Sequence, residues 1–201
     1  ERGEGGLAGG SRQGAGVPST PEVWLYWVGL SAVAVMAAAG VLEAGRKRYD
    51  LFGMIVVALA AALGGGSLRD LLLDRPVFWV ADQTYLVVAF AAAFVTFFLA
   101  RVLVLPARLF LIPDAAGLAL FTVTGTKAAL AWGAPWLVAS VMGVITGVMG
   151  GILRDVLCNE ETLVFQGILY APAAWGGALL LIGLLALGAA GRLAALAAGV
   201  G

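Results

Sequence analysis

Histidine is missing from the 201 residues altogether, and cysteine occurs once, as Cys158. Without imidazole there is no histidine-based general acid–base or nucleophilic scheme, no imidazole metal ligand and no haem ligation through histidine. A single thiol forms neither an internal disulfide nor a thiolate metal cluster. Charge is scarce as well. Only 12% of residues are charged, against about 25% in soluble domains. The 12 Lys+Arg balance the 12 Asp+Glu, so no basic field points to nucleic acid as a partner. There is no G-x-x-x-x-G-K-S/T phosphate loop, and Gly64–Gly66 lacks the strand–helix setting of a nucleotide site. Together these absences disfavour an enzyme and leave no expected cofactor or metal.

What the chain has instead is apolar length. Hydrophobic residues make up 62% of it, more than a soluble core can use but not more than a bilayer can. A helix needs roughly 20 apolar residues to cross a ~30 Å hydrocarbon layer. Charge-free runs cover Val23–Leu42, Leu51–Leu68 and Gln83–Ala100. A fourth span runs from Asp114 through Lys127 to Trp132, a fifth from about Pro135 to Cys158, and a sixth from about Ile168 to Ala189. The expected protein is therefore an all-α membrane protein with six spans. Residues 1–21 are rich in glycine and polar residues and read as a disordered tail. Residues 192–201 read as the start of a possible seventh helix, incomplete here. All six tryptophans lie near expected span ends, as an aromatic belt would.

Orientation follows from Lys and Arg in short loops. The Arg46-Lys47-Arg48 run, with Arg101, Arg108 and Arg154 on its side, outweighs Arg69, Arg75 and Arg192 with tail residues Arg2 and Arg12. That places the Arg46–Arg48 loop in the cytoplasm and the N-terminus outside. Glu43, beside this run, reads as a solvated interfacial carboxylate.

The spans repeat. Gly64-Gly65-Gly66-Ser67-Leu68-Arg69-Asp70 in span two matches Met149-Gly150-Gly151-Ile152-Leu153-Arg154-Asp155 in span five, at an offset of 85 residues (150 minus 65). The same offset carries Tyr85 onto Tyr170 and Gly40 onto Gly125. Three spans per copy is an odd number, so the two copies, 22–106 and 107–191, lie inverted in the membrane. Matched glycine interruptions in inverted repeats point to a central ion or substrate site. Glycine costs ~1 kcal/mol against alanine inside a helix, so each cluster marks a place for the helix to kink or unwind. The competing reading is close helix packing, for which membrane helices use small residues.

Few charges fall within the spans. Lys127 lies 13 residues past Asp114, ~20 Å along a helix, where a lipid-facing charge costs at least ~3 kcal/mol. It is either a pore-lining or gating charge or a snorkelling lysine. Arg69-Asp70 and Arg154-Asp155 fall at opposite interfaces. Adjacent helical residues do not face each other, so each pair is expected to bond to a neighbouring helix or to carbonyls and guard one pore mouth. Interfacial anchoring is the alternative.

The segments GGGSLRDLLLDRPVFWV (64–80), DAAGLALFTVTGTKAAL (114–130) and GVMGGILRDVLCNE (147–160) resemble the bacterial trimeric intracellular cation (TRIC) channel family. The resemblance covers nearly everything from about Trp24 to Ala190. It implies a homotrimer of seven-helix subunits in an inner membrane, each with its own potassium-permeable pore around the glycine-kinked second and fifth helices. Kink glycines carry over to Gly64, Gly65, Gly66, Gly150 and Gly151, and the fourth-helix lysine to Lys127. Met149, standing where the first copy has glycine, implies a weaker second kink. In such a channel, hydroxyls of Ser67, Thr122, Thr124, Thr126, Ser140 and Thr146 would replace part of the hydration shell of permeant K+. A secondary transporter is the alternative, since inverted repeats with broken helices also build carriers. A structural or lipid-binding protein ranks last because it leaves the duplicated glycines unexplained.

Overall fold

A computed structural model describes residues 20–102, 109–165 and 170–198. It is all-helical over these residues: α1 (Thr20–Arg46), α2 (Leu51–Leu72), a short α3 (Phe78–Ala81), α4 (Thr84–Val102), α5 (Leu111–Ala131), α6 (Trp136–Leu157) and α7 (Tyr170–Ala198), with a 3-10 turn at Leu163–Phe165 before α7. Helix is the conformation that satisfies every backbone N–H and C=O within one segment, as a hydrocarbon surrounding requires. Residues 1–19, 103–108, 166–169 and 199–201 lie outside this description. The expected disordered tail falls mostly among them, although Thr20 and Pro21 already belong to α1. Arg108 lies outside it as well. The stretch after Arg192, expected to begin another helix, continues α7 as far as Ala198.

The two halves superimpose in sequence register. Shifting α2 by 85 residues gives 136–157, the bounds of α6. α1, α2 and α4 thus correspond to α5, α6 and α7. Helix ends repeat too. α2 ends with Asp74 at φ 49° and α6 with Asn159, its equivalent, at φ 51°. In each, the next N–H reaches back to the motif aspartate: Arg75 N donates to Asp70 O at 3.0 Å and Glu160 N to Asp155 O at 2.9 Å. This is the Schellman closure, which needs a left-handed residue that Asp and Asn tolerate best after glycine. α1 and α5 close in the same way on Arg48 (φ 58°) and Gly133 (φ 88°).

α2 and α6 cross at the centre of the bundle, flanked by α1 and α5. Met36, Ala58, Ala61, Ala62 and Phe121 form the main core. Five of the long helices are apolar and long enough to span a membrane. α5 is the exception, because it carries Asp114, Lys127 and three threonines. It can stand among the spans because Asp114, Thr122, Thr124 and Thr126 are buried against the rest of the bundle.

The glycine clusters do not unwind their helices. Both helices run unbroken through them, Met149 included. A Cβ on Gly65 would stand 2.1 Å from the Thr146 carbonyl oxygen, and one on Gly150 would stand 2.2 Å from that of Ala61. Thr146 and Ala61 are themselves equivalent positions, so the contact is reciprocal about the axis relating the halves. Gly40 against Ala58 recurs as Gly125 against Gly143. The clusters therefore let α2 and α6 approach backbone to backbone, the packing use of small residues.

Candidate functional site

Among the described residues each half buries one arginine, Arg69 in the first and Arg154 in the second. The Arg154 end lies beside the Arg46–Asp50 loop, where Lys47 pairs with Glu160 at 2.7 Å and Tyr49 donates to Leu157 O. Arg154 has 0% side-chain exposure and lies between two carboxylates. Its Nε donates to Asp155 at 2.8 Å, and Nη1 pairs with Asp114 of α5. The Tyr170 hydroxyl holds the other oxygen of Asp114 at 2.6 Å, and the Phe110 ring lies 5.1 Å from the guanidinium. Asp155 also accepts from Leu163 N at 3.2 Å, tying the following turn to the helix end.

The Arg69 end has the same frame with one part missing. Arg69 Nε and Nη2 donate to Asp70 at 2.8 and 3.0 Å. Asp70 accepts from Phe78 N at 2.9 Å, as Asp155 does from the equivalent Leu163. Tyr85 stands where Tyr170 does. The position equivalent to Asp114 is Gly29, and a Cβ there would lie 3.1 Å from the Tyr85 hydroxyl. A cavity of about 260 Å³ occupies this region, lined by Gly29, Arg69, Arg75, Tyr85, Phe121 and Thr124 among others. At its edge Tyr26 donates to Asp82 at 3.0 Å. Hydrogen bonds from Thr84, with that of Tyr26, hold the Asp82 carboxyl below its ordinary range.

Several sequence expectations change here. Both Arg–Asp pairs are closed ion pairs within one helix. Adjacent side chains diverge around a helix, but arginine is long enough to fold back over its neighbour. Arg154 adds a carboxylate from another helix, whereas Arg69 lies 5.6 Å from the Phe78 ring of α3. Glu43 is 1% exposed rather than solvated, and Arg46 holds it at 2.8 Å. Lys127 is half-buried a turn before the end of α5 (131 minus 127 is four residues, ~6 Å), with Nζ 4.6 Å from the Trp24 ring centre. Among the six hydroxyls, Thr124 lines the cavity. Thr122, Thr126 and Thr146 are instead buried in the α5–α6 contact, where they lie against Gly147, Gly143 and Gly125. Ser67 and Ser140 bond to Leu63 O and Leu137 O and accept from Trp79 and Trp175. Asp114, Gly29, Arg75 and Trp24 went unremarked as site residues. The offset that pairs Asp114 with Gly29 was the signal that could have found two of them.

Among the described residues no cluster could hold a metal ion. The fold and its two arginine ends define a multi-pass helical membrane protein of inverted repeats. A family model described as "Glycine transporter" matches residues 26–101 and 111–186, two segments again related by the same offset. The chain belongs to this family. It is 46% identical to the UPF0126 inner membrane protein YadS of Escherichia coli K12 over 154 residues, 74% of this chain and 73% of that one. It is 34% identical to the UPF0126 membrane protein YvgT of Bacillus subtilis over 165 residues, 80% and 81% of the two chains. Its fold matches the TRIC trimeric intracellular cation channel orthologue from Rhodobacter sphaeroides with a TM-score of 0.79 at 37% identity, covering 83% of this chain and 86% of that one. The resemblance read from the glycine and Arg–Asp segments thus holds at the level of family and fold.

Proposed function

We propose that this chain is a monovalent cation channel, permeable to potassium, that works as a homotrimer in an inner membrane with one permeation path per subunit. The observation that carries this reading is the likeness along most of both chains to the Rhodobacter sphaeroides cation channel. Lys127 supplies the gating charge: it stands beside the cavity residues Thr124 and Ala128 and rests on the exposed Trp24 ring. An ammonium there repels a passing cation until it swings aside. Moving one charge through the field contributes ~2.3 kcal/mol per 100 mV. Single-channel recording of the purified protein in asymmetric KCl and NaCl tests the reading. Unitary potassium currents are expected, and Lys127→Ala should raise open probability and flatten its voltage dependence. Saturable counterflow without unitary steps would overturn the channel.

A second reading, a carrier for a small amino acid, is favoured by two features. One is the description of the family model. The other is that guanidinium groups line the cavity, an electrostatic setting that suits a carboxylate better than a cation.

A further inference from the structure

We infer that the cavity at Arg69 is a binding site for the carboxylate of a small solute, of the size of glycine or acetate. The protein contains its own template for this site. In the second half, Arg154 is completed by the Asp114 carboxylate, which also accepts the Tyr170 hydroxyl. In the first half Arg69, its partner Asp70, the N–H of the following turn and Tyr85 are all present in the equivalent places. Gly29 has no side chain to supply the remaining carboxylate, and it lines the cavity.

The chemistry of the gap is specific. Arg69 is 8% exposed at its side chain and gives two of its nitrogens to Asp70. Its Nη1 takes no part in that pair, and Tyr85 lines the same cavity. At the other end, the matching two groups hold the two oxygens of Asp114. Arg75, with its Nε 3.6 Å from Asp70, adds a second positive charge to the same wall. Asp70 pairs with Arg69, and Asp82 lies at the edge of the cavity bonded to Tyr26. The charged groups that line the cavity are the two guanidinium groups, with which an added carboxylate forms charge-assisted hydrogen bonds. The volume, about 260 Å³, lies below the ~300–1,000 Å³ of sites for drug-sized ligands, so the ligand has few heavy atoms. Tyr26 and Phe121 also line the cavity.

The site does not depend on the channel reading. In the carrier reading it is where the substrate's carboxylate is held, and binding is measured separately from flux, so the two fail separately. The test is calorimetric titration of the purified full chain, with its melting curve, against glycine, acetate and methylammonium at constant ionic strength. Glycine and acetate should bind and raise the melting temperature, and methylammonium should do neither. Gly29→Asp moves the missing carboxylate into the chain itself. It should weaken glycine and acetate at least about tenfold, the loss of a charge-assisted contact. Should that variant not fold, Tyr85→Phe removes one hydroxyl and should weaken both ligands several-fold. Failure of both carboxylates to bind overturns the site, as does undiminished binding in either folded variant. Potassium currents persisting in a protein that binds neither ligand would leave the channel reading standing.

Discussion

The two arginine ends share a backbone plan and differ in how they are filled. At the Arg154 end the chain supplies both carboxylates and the tyrosine hydroxyl, so the guanidinium is fully enclosed. At the Arg69 end one carboxylate is replaced by Gly29, which with Arg69 lines a cavity. The charge of the flanking position is reversed as well: Arg75 at one end corresponds to Glu160 at the other. One end is thus a closed electrostatic clasp, and the other an open one. Duplication gave both the same frame, and the side chains then made one structural and left the other able to receive something.

The sharpest way to break this comparison is to open the closed end. Asp114→Ala leaves Arg154 with a single carboxylate at 0% exposure. Removing one partner of a buried ion pair typically costs 3–5 kcal/mol, and because Asp155 remains, about 3 kcal/mol is expected. Melting in detergent should fall by the corresponding amount. Asp114→Asn, which retains a carbonyl for Tyr170, should lose less. If Asp114→Ala melts like the parent, the second end is not a structural clasp.

The next effect concerns the crossing that joins the halves. Gly65→Ala drives a methyl into the Thr146 carbonyl and Gly150→Ala drives one into that of Ala61, backbone atoms that cannot rotate away. Overpacking of this kind costs about 1–3 kcal/mol. The two variants should be destabilised to a similar extent, since the contacts are reciprocal. Gly176→Ala and Gly177→Ala, inside α7 with nothing within 4 Å of the added atom, should melt no lower than the parent and gain up to ~1 kcal/mol from helix propensity. Unequal losses from Gly65 and Gly150 would mean that the halves do not share the crossing evenly.

Much of this was legible before the structure, and what was not has a physical reason. The apolar runs, the offset and the matched glycine and Arg–Asp positions are properties of local sequence, and so the fold class and the inversion could be read directly, although α7 runs on to Ala198 and the short α3 was not expected. Whether a glycine unwinds a helix or brings two together depends on what stands opposite it, and the partner of Gly65 lies in another helix, at Thr146. Asp114 read only as the start of a span because the arginine that buries it comes 40 residues later, as the pairing with Arg154 shows. Glu43 likewise read as solvated because its burial is set by the bundle and not by its charged neighbours.

The smallest expected effect lies at the rim of the closed end, where Lys47 and Glu160 join the α1–α2 loop to the end of α6 at 2.7 Å. Both groups are near the surface, so the pair is weak and screened by salt. Its pH dependence nevertheless has a fixed sign. The hydrogen bond from Lys47 lowers the Glu160 carboxyl below its ordinary 4.5, so its contribution is present above that value and lost as pH falls through the lowered one. The hydrogen bond to Glu160 raises the Lys47 ammonium above its ordinary 10.5, so its contribution is present below 10.5 and lost as pH rises through the raised value. Between these limits the pair is intact. A double-mutant cycle of Lys47→Ala and Glu160→Gln should therefore show a small positive coupling at pH 7 that disappears near pH 3 and weakens in high salt. The equivalent position in the first half, Arg75, has no such opposite charge across a loop, and Arg75→Ala should show no coupling to Lys47 at any pH. Coupling that persists at pH 3 would mean that the two loops are held by something other than this pair.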